Sequence, residues 1–342
     1  MSLADFGDHL TGQIVVVVYH GGCPDGCLAA VIMRDAISRN YKTSSLTLVP
    51  TSHAGRNADS VVQGCTVVFV DVSPTWEDES QLRKCGCIII LDHHASAQPA
   101  QDKLQAALPS LSNFSNNDGK ECGATLVNNF CGSRLVAPWL IHLFHKMDVF
   151  QHQLPDGIGK HYDAFKGFIT QRGLSRCTVE LVEELLADTG AALARGSELY
   201  AEVSEQTRNV FEKRSLLADT ELVSVFAVEL GEVVPSMDLE LYQSLIDQIS
   251  SCSKVVVFAT LNRTRLSSGL WTVGLRKSGE QLDMGTVGKR LGACDHLGFK
   301  TGGGHPYAAG AQCGDFELSA ERVCTELAQI CEGLLAECPD DS

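Results

Sequence analysis

Residues 87–94 read CIIILDHH. An unbroken apolar run, rich in isoleucine, stops at Asp92, His93 and His94. A run this short, with no alternation, reads as a strand covered on both faces. Three consecutive polar groups after it must be hydrogen-bonded or ligating if they are buried. Similar runs precede it: IVVVVYH (14–20), LTLVPT (46–51) and CTVVFVD (65–71). Between the first two, GCLAAVIMRDAISRN reads as a helix. This βαβ pattern predicts an α/β fold with a mostly parallel sheet and helices on both faces. Ligands gather outside the carboxyl ends of such strands. His20 ends the first strand, Asp71 the third and Asp92 to His94 the fourth, so these groups emerge at one edge.

Further on, residues 121–150 read as two helical pieces around Pro138, the second ending in Asp148. Residues 178–216 read as long amphipathic helix, weakened at Gly190 and Gly196, so either one kinked helix or two. Strands return in ELVSVFAVEL, KVVVFATLNRT and SGLWTVGLRKS. A short helix near 284–291, the glycine-rich TGGGHPYAAG (301–310) and a last amphipathic helix at 319–336 follow. The expected organisation is an N-terminal domain over 1–155, a helical connector over 156–217 and a smaller α/β domain over 218–342.

The 342 residues suit two domains, and no run of apolar residues is long enough for a transmembrane helix. The first residues, MSLADFGDHL, carry acids before any Lys or Arg, which is unlike a signal or transit peptide. The 14 cysteines are scattered through apolar segments and read as free buried thiols of a cytoplasmic protein. A net charge of −15 argues against general binding of long DNA or RNA. Between Arg263 and Lys300, however, there are seven Lys or Arg and three Asp or Glu, enough to hold a small anionic ligand.

Five groups are candidate metal ligands: His20, Asp25, Asp71, His93 and Asp148. Taken singly each has a plainer reading. His20 can be a polar cap, Asp25 in CPDG a turn residue, and Asp148 a helix-end surface group. Together, two imidazoles and three carboxylates suit Mn²⁺ or Mg²⁺ better than zinc. Two such ions can clamp a phosphoryl group, with Asp71 as the natural bridging carboxylate. The glycines of TGGGHPYAAG let backbone N–H groups approach an anion, with His305 as an added donor; a tight turn before a last strand is the plainer reading.

LDHHAS, preceded in order by YHGGCPDG and FVDVSP and followed by HKMDVF and GGGHPYAAG, resembles the motif set of the DHH phosphoesterase superfamily with its associated C-terminal domain. The resemblance spans about residues 14–312. It implies that His20, Asp25 and Asp71 hold one ion and Asp71, His93 and Asp148 another. It also implies that His94 assists at the substrate without ligating, and that Asp92 orients its neighbours. Where many members have Asp-x-Asp, this chain has Cys27. The second ion is then weakened, holds an extra water or accepts the thiolate.

By the same resemblance, Gly302, Gly303, Gly304, His305 and Arg276 bind the nucleotide or phosphate end of a substrate. The expected activity is metal-dependent hydrolysis of short oligonucleotides, linear dinucleotides or nucleotide bisphosphates, as an oligoribonuclease-type phosphoesterase and possible homodimer without membrane or long-duplex partners. Hydrolysis of pyrophosphate or polyphosphate, and nucleotide binding without catalysis, are the alternatives.

Overall fold

The computed structural model describes residues 2–51, 61–116, 118, 120–149, 153–171, 177–230, 238–249, 254–262, 271–278, 281–304, 308–313 and 319–337. The chain divides into two compact units, Met1–Ala201 and Glu202–Ser342. Among the described residues, no helix is long and apolar enough to cross a membrane.

The first unit runs α1 (Gly7–Leu10), β1 (Ile14–His20), α2 (Pro24–Asn40), β2 (Ser45–Thr51), β3 (Thr66–Val70), α3 (Glu79–Leu82), β4 (Cys87–Leu91), α4 (Gln98–Ala107), β5 (Leu111–Asn113), α5 (Gly123–Cys131), α6 (Pro138–Asp148), α7 (Tyr162–Ile169), α8 (Val179–Ala187) and α9 (Thr189–Glu212), the last crossing into the second unit. Its sheet has the order β2-β1-β3-β4-β5 with every pair parallel. The unbroken apolar runs are explained by burial on two faces. Val15, Val17, Val68, Val70, Ile89 and Leu91 pack with α2 and α5, whereas Val16, Val18, Val67, Phe69, Ile88 and Ile90 pack with Leu82 of α3 and Leu104 of α4.

Asp25, a candidate metal ligand whose plainer reading was a turn residue, lies in the first turn of α2. That helix starts two residues before the GCLAAV segment because Pro24 at its first position pre-sets the backbone. The long connector helix breaks at Asp188, not at either glycine. Asp188 leaves helical geometry, and its Oδ1 accepts from the N–H of Ala191, 3.0 Å away, which caps α9.

The second unit adds β6 (Ser215–Asp219), β7 (Val223–Leu230), α10 (Leu239–Ile249), β8 (Val255–Asn262), β9 (Trp271–Lys277), α11 (Met284–Gly292), β10 (Phe299–Gly304), β11 (Ala308–Cys313) and α12 (Ala320–Glu337). Its sheet is mixed, in the order β10-β11-β9-β8-β7-β6, and β7 and β8 run parallel. Val225, Val257, Leu275, Val287, Leu291, Val323 and Leu327 form its core. The glycines at 302–304 lie in strand β10, paired with β11, rather than in a loop.

Gly196 stays helical because α7 crosses α9 there. A Cβ on Gly196 would stand 1.9 Å from the Ala164 carbonyl oxygen, and one on Gly167 would stand 2.1 Å from the Gly196 oxygen. A Cβ on Gly190 meets only Asp188 Oδ1, at 3.5 Å. Gly196→Ala should therefore destabilise the first unit by about 2–4 kcal/mol. Gly190→Ala should be neutral or stabilise by about 0.5–1 kcal/mol. Urea unfolding of the two variants checks this contrast.

Candidate metal centre

Parallel pairing sets Tyr19 beside Val70 and Val70 beside Leu91. The next residues, His20, Asp71 and Asp92, therefore leave three adjacent strands in one row. From β1 the chain goes outward to β2 and returns to β3 on the other side. The crevice of the strand order thus opens between the ends carrying His20 and Asp71.

Among the described residues, Asp71 is the non-glycine residue with positive φ, at 57°. Aspartate tolerates the left-handed region better than most side chains, yet the conformation still costs about 1–3 kcal/mol. It turns the chain sharply off β3 while the Asp71 N–H still donates to the Leu91 oxygen at 2.9 Å. The side chain is buried. Its Oδ2 lies 3.3 Å from Nδ1 of His20 and its Oδ1 lies 3.1 Å from Nε2 of His93. Nε2 of His93 is also 3.4 Å from Oδ2 of Asp148 and 4.0 Å from Oδ2 of Asp25. These contacts are close without hydrogen-bonding geometry. Among the described residues, both Asp71 oxygens, His93 Nε2 and Asp148 Oδ2 are buried with no hydrogen-bond partner. Buried polar atoms in that state are expected where a cation completes the site.

The potential ligand atoms fall into two sets, each mutually within 4.8 Å: His20, Asp71 and His94, and Asp25, His93 and Asp148. All five expected ligands are thus brought together. The two oxygens of Asp71 face both sets, in keeping with the sharing that the resemblance implied, whereas Asp25 lies with His93 and Asp148 rather than with His20, and His94 lies with His20. The donors fit hard divalent cations such as Mn²⁺ or Mg²⁺, since carboxylate oxygen and imidazole supply every group. Cys27 supplies none. Its thiol is in the core and donates to the Cys177 carbonyl at 3.4 Å, apart from both donor sets.

Charge explains the protonation pattern. Burial would raise the Asp71 carboxyl, but His20 and His93 beside it outweigh burial and hold it well below its ordinary value. Burial would lower His93, but Asp71, Asp148 and Asp25 push it up to about 10. Asp25 is raised well above its ordinary value by burial, then by Asp71 and Asp148.

Asp25 also accepts from the N–H groups of Gly123, at 2.6 Å, and Ala124, at 3.0 Å. It thereby satisfies the start of α5, which has no side-chain cap from Cys122. Asp92 works from behind the donors. Its Oδ1 takes the His93 N–H at 2.8 Å and lies 2.7 Å from His94 Nδ1, and its Oδ2 accepts from Ser73 Oγ at 2.6 Å. Gln101 Nε2 donates to Ser73 Oγ at 2.7 Å, and Asn113 Nδ2 donates to Gln101 Oε1 at 3.3 Å. Burial would raise Asp92, but His94 and Ser73 keep it lowered. His94 is raised by Asp92 and Asp71 against burial.

Sequence reading missed Ser73, Gln101, Asn113 and Gly123. Ser73 stands in the quoted FVDVSP, but Gln101 looks like any surface residue of a polar helix although it is fully buried. The expected anion-binding residues lie in the second unit. Register sets Ala308 opposite Arg276 and Ala309 opposite Gly304, so Arg276 and the end of β10 share one end of that sheet. Burial lowers the Arg276 guanidinium to about 10, which leaves it a cation at neutral pH. Gly302 to Gly304 are placed in β10; His305, with Arg263 and Arg265 of the basic stretch, lies outside the described residues.

A scan against protein-family models finds no match for this chain, and a search of curated proteins finds none. Solved structures do match. The DHH domain of a member of the s1p family of ribosomal proteins aligns with a TM-score of 0.59 and 15% identity, over 95% of this chain and 87% of that one. The chain has the DHH fold. The exonuclease RecJ bound to manganese aligns with a TM-score of 0.51 and 13% identity, over 98% of this chain and 94% of that one. In this DHH fold the LDHH segment occupies the end of β4, beside the end of β3.

A Cβ on Gly123 would lie 2.7 Å from Asp71 Cβ, 2.8 Å from Asp71 Oδ1 and 2.9 Å from Asp25 Oδ2. Gly123→Ala should weaken Mn²⁺ binding by about tenfold or more, read by calorimetry, while the far-ultraviolet dichroism is kept. A cation must displace the proton that His93 holds up to a pKa of about 10. After chelation, apparent Mn²⁺ affinity should accordingly rise about tenfold per pH unit from pH 7 to 9, with proton release. The chelated protein should lose stability over the same range, because a raised histidine stabilises the fold below its unfolded pKa of about 6.5 and stops doing so as pH climbs toward 10. Melting curves against pH, with and without Mn²⁺, measure both trends.

Proposed function

We propose that this chain is a metal-dependent phosphoester hydrolase acting on short oligonucleotides, linear dinucleotides or nucleotide bisphosphates. The observation that carries the reading is the placing of buried Asp71 between His20 and His93, with Asp25 and Asp148 around the same imidazole. His20, Asp71, His93, Asp25 and Asp148 would hold the cations, and the facing of Asp71 toward both donor sets favours two ions bridged by it. The manganese named with the RecJ structure supports Mn²⁺ as the first cation to test. Bound divalent ions supply Lewis-acid charge against a phosphoryl oxygen and lower the pKa of an attacking water.

The residues of the chain do the rest. Asp92, itself held by Ser73, fixes the His94 ring through Nδ1 and leaves Nε2 to the substrate side. His94, raised above its ordinary value by Asp92 and Asp71 against burial, keeps a proton that it can give to the leaving oxygen. Within the second unit, Arg276 and the backbone of Gly302 to Gly304, with His305, are the groups offered to an anion. The −15 net charge favours short substrates over long strands, which the acidic surface repels.

Turnover of a linear dinucleotide with Mn²⁺ tests the reading, run beside a nucleotide bisphosphate, a cyclic dinucleotide and pyrophosphate. The wild type should cleave the dinucleotide or the bisphosphate, and His93→Ala should lose about a hundredfold or more of that rate. Cleavage of pyrophosphate alone, or nucleotide binding with no turnover by the wild type, overturns the assignment.

A further inference from the structure

At the opposite end of the first sheet, two cysteines approach each other. Cys65 immediately precedes β3, and Cys85 lies two residues before β4. Their sulfurs are 3.9 Å apart, inside the core layer formed with Val67, Leu82, Ile88 and Leu104. The backbone holds both segments in place. The N–H of Gly86 donates to the Cys65 oxygen at 2.9 Å, and the N–H of Gly64 donates to the Lys84 oxygen at 2.7 Å. Cys87, two residues from Cys85 along β4, packs in the core layer on the other face of the sheet. The two facing thiols therefore form a defined pair.

We propose that Cys65 and Cys85 are a modification site: a peroxide-oxidisable dithiol that closes to a disulfide at the sheet end remote from the metal centre. Bond formation brings sulfurs 3.9 Å apart to about 2 Å, within the reach of side-chain rotation between neighbouring strands. The Cys85 thiol beside it holds Cys65 down to about 6, so Cys65 is the nucleophile. Cys85 is raised by the same contact and then by burial, and so keeps its proton until the second step.

The Cys65 thiolate attacks one peroxide oxygen. An S–O bond forms, the O–O bond breaks, and hydroxide leaves and takes up a proton to become water. Cys85 sulfur then attacks the Cys65 sulfenic acid. The S–S bond forms, the S–O bond breaks, and the Cys85 proton leaves with the hydroxide as a second water. Two thiols are oxidised and one hydrogen peroxide is reduced to two waters. Relative exposures of 1% for Cys65 and 8% for Cys85 select a small peroxide over a bulky disulfide oxidant.

The proposal is independent of the phosphoesterase reading, because no metal-centre donor takes part. Trypsin separates the two cysteines at Arg83 and Lys84, giving fragments 57–83 and 85–103. Folded wild type treated with hydrogen peroxide, alkylated and digested without reductant should yield these fragments joined, and dithiothreitol should release them. Cys87→Ser should keep the link. The oxidised protein should melt a few degrees higher, since the bond closes a loop of roughly 20 residues in the unfolded chain. In Cys85→Ser, treated folded with peroxide and then unfolded in the presence of dimedone, Cys65 should be trapped as the sulfenic acid. Recovery of Cys65 and Cys85 as alkylated thiols from peroxide-treated wild type overturns the proposal, as does a link that is lost in Cys87→Ser.

Discussion

The carboxylate of Asp71 is buried between two imidazoles, on a backbone conformation that ordinarily belongs to glycine. Neither condition is cheap by itself. Both persist because the surroundings leave no other arrangement. Parallel register delivers His20, Asp71 and Asp92 in one row, and the first turns of α2 and α5 close over that row. They come near because they lack side chains there: a Cβ on Gly26 would stand 2.3 Å from the His20 oxygen and 3.0 Å from Asp71 Oδ2. Asp25, buried, and Asp148, partly exposed, add further carboxylates beside it. Mutual repulsion of that kind is relieved by protons or by divalent cations, and the geometry of the donors suits the cations.

Much of this was legible from residue order alone. Strong apolar runs revealed β1, β3 and β4, and a parallel sheet delivers the ends of its strands to one edge whatever the details between them. His20, Asp71 and His93 met for that reason, while Asp25 and Asp148 reach the same place from the start of α2 and the end of α6. The backbone around Asp25 was less legible, because CPDG is compatible with a turn and with a helix start, and the structure has the helix start, with Asp25 accepting from the N–H of Gly123. Gln101 and Asn113 carry no local signal, since their burial depends on α4 lying against β5. The break at Asp188 went unnoticed because glycine attracts more suspicion than an aspartate that caps.

The second unit adds a caution about glycine-rich motifs. Gly302 would place a Cβ 1.9 Å from the Gly288 oxygen, and Gly292 would place one 2.3 Å from the Gly302 nitrogen. Close packing of α11 on β10 therefore requires these residues whether or not an anion binds. Gly303 and Gly304 differ, with φ values of 156° and 147° at the strand end nearest the Arg276 row. Packing accounts for the first glycine of the triplet, backbone freedom for Gly303, and both for Gly304, where a Cβ would stand 2.5 Å from Ala309 Cα.

Asp25 joins two events usually considered apart. Its oxygens receive the first N–H groups of α5 and also face His93. A ligand drawing on that carboxylate shares it with the opening turn of a helix that packs on α2. Occupancy and local folding are then one equilibrium: a cation tightens α5, and fraying of α5 loosens the cation, by equal free energies.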